Sequence, residues 1–407
     1  MKEFIIKTVF LVLLLITVVV YGYNTFKEDN NEEVSTIAYY VETYYDSDEY
    51  VKGEFLERLA DYYTLNEDLS WCNNNQEDGT IKAVGDNVEI KFDKANNCVL
   101  YFDINQKLID AIIVDNALIV ANDGLDFSSN TDSGFYVDRT TGNYYFRGNY
   151  STLNNWVKIG TTYWRIVRID ESENIRLIYS GTSTSSSGTK TITYSSSSTF
   201  SFYSYANSSR YAGYKFSTAA RGSTTDSAVK ETIDKWYETN LEKYDYLFAS
   251  DAEFCGDRVS YYYAAGSSVN TTSTTASRYF GGYVRFETNA DKKPTFACDE
   301  DDQYSVDNGK LKYPIAMLSA DEAVFAGIIP GTTNTSNYLY SNKTFWLMTP
   351  YSYQSSVVKE FYINTTATLT AASVTTAIGV RPVVAVDSST IIISGTGSAS
   401  DPYILAK

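Results

Sequence analysis

The stretch YYFRGNYSTLNNWVKIGTTYWRIVRID, residues Tyr144–Asp170, decides how the larger part of the chain folds. It holds two runs of aromatic and β-branched residues, Tyr144–Phe146 and Tyr163–Ile169, joined by a polar connection. Strict alternation along the second run predicts that Trp164 and Arg168 share one face of a strand. Long amphipathic side chains need neighbours to pack along, so we expect this strand to be central rather than an edge.

Length and composition indicate a folded, aromatic-rich protein. At 407 residues the chain can form two or three domains, at ~150 residues per domain. Tyrosine is the outlier, with 37 residues against 20 phenylalanines. A side chain with an apolar body and a polar tip suits exposed β-surfaces and also the recognition of sugars or peptides. Composition alone does not separate these two readings.

Charge and the lack of histidine exclude several function classes. With 50 acidic and 33 basic residues the net charge is −17, which disfavours binding to nucleic acid or to an anionic membrane surface. The chain contains no histidine. Ser-His-Asp and Cys-His catalysis and imidazole metal sites are therefore excluded. Carboxylate chemistry, a Ca²⁺ site or a cysteine nucleophile remain open.

The N-terminal residues 1–26 are predicted to be a signal-anchor transmembrane helix. Phe4–Tyr23 is almost continuously apolar, and twenty helical residues span about one hydrocarbon core. Lys2 and Lys7 favour a cytoplasmic N-terminus, with a short acidic linker at 27–33 and the remaining chain outside the cell membrane. No small-x-small cleavage site is evident, although a cleaved signal peptide stays open as the alternative.

A small β-module is predicted over residues 34–112. Short alternating runs separated by turn signals indicate strands, with a short helix at Glu54–Tyr63. Cys72 and Cys98 lie within the module, and a disulfide would help a domain too small to build a large core. The next residues, 113–145, are polar and rich in turn formers, and a loop is predicted there.

The large domain, residues 113–407, is predicted to be mostly β with short helices, which makes the whole chain α+β. Apolar residues recur at steps of three and four over Ser227–Phe248, which predicts the longest helix. Ser319–Gly327 is predicted to be a compact helix in which Ser319 and Glu322 form a capping box. Both residues are therefore interpreted as structural.

Two further cysteines and an acidic run follow the predicted long helix. Cys255 and Cys298 are paired here by proximity, although four cysteines allow three connectivities. Asp299, Asp301 and Asp302 supply hard oxygen ligands of the kind that Ca²⁺ prefers. Their spacing matches no ligand pattern, so a solvated acidic loop is the alternative, and no cofactor is expected.

Three large side chains are assigned to the predicted core. Trp164 and Trp346 lie in strand patterns, and Arg381 is the one charge in the apolar run Gly379–Val386. A guanidinium in an apolar strand must find acceptors, and either the acids of the helix at Ser319–Gly327 or nearby carbonyls can supply them. All three residues are predicted to be structural.

Several motifs occur in a fixed order: YYFRG and YWRIVRID, then FCGDR and YPIAMLSADEAVFAG, and finally FWLMTPYS and GVRPVVAV. Over about 113–407 they resemble an uncharacterised domain of surface proteins from Gram-positive gut bacteria. The segment ending in NNCVLYFD is similar to the small β-module that often precedes it. The tryptophan-to-proline and GVRP pieces are also similar to the C-type-lectin-like fold of formylglycine-generating enzymes and bacterial binding domains. That resemblance implies a fold and a surface location, since the reactive cysteine pair of those enzymes is not recognisable.

Three functions are compatible with these observations. The first is a non-enzymatic, membrane-anchored surface protein that recognises a glycan or a protein through two Ser/Thr/Tyr-rich excursions, 182–209 and 260–290. The second is a surface hydrolase that uses one of Asp299–Asp302 as acid and Glu322 as its partner, with the carboxyls ~5 to ~9.5 Å apart. The third is a purely structural envelope component in which tyrosine only covers β-sheet.

Overall fold

The structure is a computed structural model, which describes the chain in ten stretches. The chain folds into two compact units. The first unit comprises Met1–Lys107 with Ile391–Ile393 and Ala406, and the second comprises Leu108–Thr390 with Ser394–Leu405 and Lys407. The described residues are 36–43, 63–72, 80–84, 87–91, 96–104, 106–116, 119–184, 201–219, 222–261 and 273–406.

The predicted anchor at Phe4–Tyr23 lies outside these residues. Within the described stretches, no helix combines the length and the apolar character that crossing a membrane requires. Strands outweigh helices in the described chain, which confirms the predicted class of a mostly β, α+β protein with short helices.

The first unit contains an antiparallel three-stranded sheet and a hairpin. The sheet order is β1-β5-β2, and β3 pairs with β4. Cys72 lies opposite Cys98 in the β2–β5 register, and Cys98 is disulfide-bonded. Residues 54–62 of the predicted short helix lie outside the description, and Tyr63 begins a strand instead. The bounds are β1 (Thr36–Thr43), β2 (Tyr63–Cys72), β3 (Thr80–Val84), β4 (Asn87–Lys91) and β5 (Asn96–Ile104).

The chain from residue 108 onward carries most of the secondary structure. Its helices are α1 (Leu108–Asp115), α2 (Ala228–Asn240), α3 (Gly281–Tyr283) and α4 (Ala320–Phe325). Its strands are β6 (Ile119–Ala121), β7 (Gly134–Val137), β8 (Tyr144–Arg147), β9 (Trp156–Ile159), β10 (Thr162–Ile169), β11 (Ile175–Tyr179), β12 (Lys215–Phe216), β13 (Thr225–Asp226), β14 (Phe254–Cys255), β15 (Ser260–Tyr261), β16 (Arg278–Phe280), β17 (Gln303–Tyr304), β18 (Ile315–Ala316), β19 (Phe345–Gln354), β20 (Val357–Ile363), β21 (Leu369–Ser373), β22 (Val383–Val386), β23 (Ile391–Ser394) and β24 (Tyr403–Ala406).

The strand predicted from YWRIVRID is central, as expected. It is β10, which pairs with β11 on one side and with β8 and β9 on the other, in a sheet ordered β18-β22-β11-β10-β8-β7-β6. Trp164 of this strand is fully buried. The strand predicted in the apolar run Gly379–Val386 is shorter than expected, since only Val383–Val386 forms β22 and pairs with β11.

A β-bulge makes the predicted alternation in β10 wrong. Ile166 pairs with Leu177, but the next pair joins Arg168 to Arg176, so one residue of β10 is extra. Because neighbours on a strand point to opposite faces, the bulge turns Arg168 away from the face of Ile166. Arg168 therefore shares its face with Arg176 and not with Trp164.

A second sheet is ordered β15-β16-β19-β20-β21. Its longest pair, β19 and β20, turns at Ser355 and Ser356, whose φ values of 49° and 60° fit the tight turn of a hairpin. Trp346 in β19 is fully buried against Phe202 and Tyr362. This tryptophan is therefore a core residue, as predicted.

The helices differ from expectation in two places. The predicted loop at 113–145 overlaps the end of α1 and contains β6 and β7, whose short runs carry little periodicity. The predicted long helix ends at Asn240 and continues as a 3₁₀-helix, Glu242–Leu247. The capping box of α4 is confirmed, since Ser319 Oγ accepts from the Glu322 amide and the Glu322 carboxylate accepts from the Ser319 amide.

Candidate functional site

The two Ser/Thr/Tyr-rich excursions meet in the second unit. The amide of Ser209 donates to the carbonyl of Thr274 at 2.8 Å, and its hydroxyl donates to the same oxygen at 3.1 Å. The hydroxyl of Ser208 adds a third bond to Thr274 at 3.2 Å. Residues far apart in sequence are therefore joined by backbone contacts.

Aromatic rings cluster next to this junction, in a group that we call the aromatic platform: Tyr203, Tyr205, Tyr211 and Phe216. The ring of Tyr211 lies 5.5 Å from Tyr203, 6.1 Å from Tyr205 and 5.3 Å from Phe216. Tyr205 is 64% exposed, while Tyr203 and Tyr211 are buried beneath it. The Arg210 guanidinium lies 4.6 Å from the centre of the Tyr211 ring. The platform thus offers one exposed ring on a packed aromatic base.

The backbone beneath the platform is tied to the second sheet. The amide of Val358 in β20 donates to the carbonyl of Ala206, and the hydroxyl of Tyr353 in β19 donates to the carbonyl of Asn207, both at 2.9 Å. These two bonds hold the two residues that directly follow Tyr205 in the chain. The exposed ring is therefore carried by a fixed backbone, which lowers the entropic cost of holding it for a ligand.

A buried acid also holds the platform. Glu360 of β20 is inaccessible and accepts from the amide of Gly213 at 2.5 Å, while the carbonyl of Gly213 accepts from the Tyr203 hydroxyl at 2.8 Å. Gly213 has a φ of +91°, and a Cβ there would lie 2.7 Å from the Arg258 side chain, so glycine is required. Burial raises the pKa of Glu360 well above its usual range.

Paired charges fasten Phe216 and its strand to α2. Lys215 lies opposite Asp226 in the β12–β13 pair and bonds to its carboxylate. Lys230 is fully buried, 2.5 Å from the Asp234 carboxylate and 3.5 Å from that of Asp226. Two lysines and two aspartates thus balance one another around the buried Lys230, and Asp226 keeps about a third of its side chain exposed (32%), a structural arrangement rather than a catalytic one.

A second charged cluster lies on the segment that follows α3. Arg285, in a π-helical stretch, contacts Asp321 at 2.8 and 2.6 Å and Asp257 at 2.5 Å. Asp257 has a φ of 45°, and its carboxylate lies so close to Gly281 that a Cβ there would come within 2.6 Å of it. Two carboxylates therefore share one guanidinium. Strained backbone and π-helical turns are frequent at functional sites.

The ionisation of Asp257 makes stability depend on pH. Burial, reinforced by the nearby Asp321, raises the pKa of Asp257 from 3.8 to about 7 despite Arg285. The folded state therefore holds a proton that the unfolded state has lost between these two values, so the free energy of unfolding falls as pH rises through that window. Asp257→Asn is expected to reduce this loss of stability with rising pH. Part of the loss should remain, because the pKa values of Asp234 and Glu360 are also raised.

Urea unfolding at about pH 5 and about pH 8 checks this expectation. The matched control is Asp291→Asn, which changes an exposed aspartate. An Asp257→Asn variant that loses as much stability between the two pH values as the unchanged protein would contradict the assignment.

The predicted acidic residue Glu322 is fully engaged in the core. Its Oε1 accepts from Arg168 Nε at 3.0 Å and from Arg176 Nη1 at 2.7 Å. Burial alone would raise the pKa of Glu322, but the guanidiniums of Arg176 and Arg168 outweigh burial and hold it below its usual range. The interpretation of Glu322 as structural fits this geometry.

Arg381, which was predicted to need buried acceptors, donates to backbone carbonyls rather than to acidic side chains. Arg381 donates to Tyr179 O and to Leu339 O, each at 2.6 Å. Arg165 is buried nearby and stacks on Trp156, with its guanidinium 4.3 Å from the ring centre. Burial lowers the pKa of each guanidinium to about 9. No described acid forms an ion pair with either, so of the two predicted kinds of acceptor for Arg381 the structure shows the carbonyls.

The candidate calcium ligands are not gathered around one point. The Asp299 side chain caps a short 3₁₀-helix by accepting from the amide of Asp301. Asp302 is buried and accepts from the amide of Arg258 at 2.6 Å. Over the described stretches, no group of three or more Cys, Asp or Glu side chains is placed to hold a metal ion.

The disulfide between Cys255 and Cys298 is present as predicted. Cys255 stands two residues before Asp257, and Cys298 stands three residues after Thr295, whose amide donates to Asp321 at 2.9 Å. The bond therefore links the segment that carries Asp257 to a segment that hydrogen-bonds Asp321, the other carboxylate on Arg285.

Comparison with known proteins adds no assignment, since no family model matches the chain and neither curated proteins nor solved structures show significant similarity to it. The suspected surface-protein domain thus stays a prediction that rests on its motifs. The excursions were expected to carry a site, but Asp257 and Arg285 were not singled out. The FCGDR motif and the Gly281–Gly282 pair were the signals that could have found them.

Proposed function

We propose that the protein is a non-enzymatic surface protein, held at the cell membrane by Phe4–Tyr23, that recognises an extracellular glycan or protein through the aromatic platform. The observation that carries this proposal is the junction of the two excursions, which backs one strongly exposed tyrosine with buried rings. A purely structural envelope component has no need to assemble such a group.

The chemistry of the platform suits a neutral or cationic ligand. Exposed aromatic faces stack on the apolar faces of sugar rings and pack against peptide side chains at low entropic cost. Exposed Ser204 and Asn207 flank Tyr205 and supply hydrogen-bonding groups. The net charge of −17 disfavours polyanions such as nucleic acid.

Replacing the exposed ring tests the proposal. Tyr205→Ala in the full-length protein is expected to weaken binding by about tenfold or more, as for truncation of an aromatic anchor. Because this side chain is mostly exposed, the melting temperature should stay close to that of the unchanged protein. Binding is measured first on a glycan array and a panel of host matrix proteins, and then as a dissociation constant for the best ligand.

The matched control is Tyr150→Ala, which removes a tyrosine of 40% exposure outside the platform. It should bind like the unchanged protein. A blank on both the array and the panel, or equal loss in the two variants, would count against recognition by the platform.

The alternative of a carboxylate-dependent hydrolase gains no support from its predicted residues. Glu322 is buried between two arginines, and Asp302 is buried against a backbone amide. A general acid or base must reach the atom whose proton it transfers. Neither Glu322 nor Asp302 is open to a substrate in this arrangement, and Glu322 is the predicted partner whichever of Asp299–Asp302 acts as the acid.

A further inference from the structure

Lys230 of α2 is fully buried between two carboxylates. Its Nζ lies 2.5 Å from Oδ2 of Asp234, one helical turn further along α2, and 3.5 Å from Oδ2 of Asp226, which ends β13. Taking an ammonium and a carboxylate out of water costs free energy, which their attraction offsets only when further hydrogen bonds satisfy both groups. A reaction that removes both charges would therefore relieve the site of this cost.

The Asp234 side chain is poorly satisfied as a charged carboxylate. Its second oxygen, Oδ1, is buried and accepts no hydrogen bond from any described residue. An ionised carboxylate accepts at both oxygens, so a charge here is only partly satisfied. Burial, opposed by Lys230, raises the pKa of Asp234 above its usual range. The environment thus favours a neutral carboxyl, the form that an amine attacks.

Hydrogen bonds at the start of α2 hold the reacting groups in place. The Ser227 amide donates to the Tyr214 carbonyl at 3.2 Å, and the Ala228 amide donates to the Phe202 carbonyl at 3.1 Å. Ser227 Oγ accepts from the amide of Lys230 at 3.1 Å. Groups held in contact in this way react as if at concentrations on the order of 10⁵ M or more.

Asp226 is placed to carry a proton between the reacting atoms. Its Oδ2 faces Lys230, while its Oδ1 accepts from Lys215. A carboxylate in this position can take a proton from nitrogen and then give it to a departing oxygen. Asp234 is the better acceptor of the new bond, because it lies nearer to the amine and is more deeply buried. The partial exposure of Asp226 leaves a way out for released water.

We propose that Lys230 and Asp234 become joined by an intramolecular amide, an isopeptide bond, with Asp226 as the proton carrier. One proton passes from the ammonium to the Asp234 carboxylate, and the amine nitrogen then attacks the carboxyl carbon Cγ. Asp226 takes a proton from that nitrogen and delivers it to the hydroxyl that leaves. The N–C bond forms, one C–O bond breaks, and water is the only other product.

The reaction needs no cofactor or co-reactant, and it occurs once in each molecule. The amide is neutral, so Lys215 and Asp226 remain as a balanced pair. Its role is structural, since it ties the first turns of α2 together. The bond does not depend on recognition by the aromatic platform.

Peptide mass spectrometry of the full-length protein, after reduction of its disulfides, tests the proposal. Trypsin cleaves after a lysine only when its side chain is free, so the amide should block cleavage after Lys230. We expect one peptide, Gly222–Lys235, that is lighter than its sequence by one water molecule. A succinimide at Asp234 also loses water, but it leaves cleavage after Lys230 intact, so the two products are distinguished.

Three variants assign the atoms of the bond. Lys230→Arg and Asp234→Ala should each abolish the loss of water. Asp226→Asn removes only the proton carrier, and because general acid–base catalysis contributes about a hundredfold or more, it should leave most of the protein unlinked. Circular dichroism confirms that each variant is folded. Glu231→Gln, at an exposed position of the same helix, is the matched control and should be fully linked.

The protein also contains an internal control. Lys312 and Glu238 form an ion pair of similar length, 2.7 Å, but both side chains are exposed, so trypsin should cleave after Lys312 as usual. Cleavage after Lys230 in the unchanged protein, without loss of water, would overturn the proposal. Full linkage in Asp226→Asn, or a link from Lys215 in place of Lys230, would overturn it as well.

Discussion

Replacing Glu322 with glutamine is expected to lower the free energy of unfolding by about 3 to 5 kcal/mol, the range seen when one partner of a buried ion pair is removed. The variant leaves the guanidiniums of Arg168 and Arg176 buried without their shared carboxylate. Glutamine keeps the shape and one acceptor for the Ser319 amide, so the loss reports charge rather than packing. Urea unfolding at neutral pH measures it.

The stability lost in Glu322→Gln should also depend on pH. The pKa of Glu322 is lower in the folded state than in the unfolded state. Its contribution to the free energy of unfolding is therefore complete above the unfolded-state pKa and is lost as pH falls through the folded-state pKa. Glu322→Gln should therefore be most damaging at neutral pH and less damaging in acid. The control is Glu231→Gln on the exposed side of α2, which should change stability little. Equal effects of the two substitutions would contradict a buried ion pair at Glu322.

Removing the Cys255–Cys298 bond is the second large expected effect. The two cysteines are separated by 43 positions, and closing a loop of that length contributes roughly 4 kcal/mol in the chain-entropy model. A double Cys255→Ala, Cys298→Ala variant should unfold at correspondingly lower urea concentration. It should also hold Arg285 less firmly, since the bond links the segment that carries Asp257 to the segment whose Thr295 amide donates to Asp321.

The double variant is compared with the unchanged protein before and after treatment with a reductant. The reductant should destabilise the unchanged protein strongly and the double variant much less, with any remaining effect coming from Cys98. Non-reducing mass spectrometry identifies the linked peptides. Recovery of Cys255 and Cys298 as free thiols from untreated protein would contradict the pairing.

Much of the fold could be predicted from local pattern. The stretch Tyr144–Asp170 predicted its own central strand, and Ser319 with Glu322 predicted the start of a helix. Each of these signals is local, because it is contained in a short run of neighbouring residues. These elements depend little on distant parts of the chain.

Features that depend on partners distant in sequence could not be predicted. The bulge in β10 is a property of its pairing with β11, and alternation alone gives no sign of it. Helix α1 was missed because its apolar residues run together as LIDAIIVD, which suits a buried strand as well as a helix. The sharing of Arg285 by Asp257 and Asp321 joins three separate segments, and no spacing along the chain encodes it.

The candidate site was predicted only in outline. The Ser/Thr/Tyr-rich composition indicated two exposed excursions, and the structure shows that Ser209 and Thr274 join them. Which tyrosine stays exposed is decided by packing: Tyr211 is covered by its neighbours whereas Tyr205 is not. Sequence composition cannot make that distinction, because the residue type is the same.

Oxidative labelling of tyrosine in the presence and absence of the best array ligand tests the central claim most directly. If the aromatic platform is the binding surface, the ligand should protect Tyr205 from labelling and leave Tyr150, which is also exposed but lies outside the platform, unchanged. Protection of Tyr150 without protection of Tyr205, or unaltered labelling of both at saturating ligand, would contradict recognition through the platform.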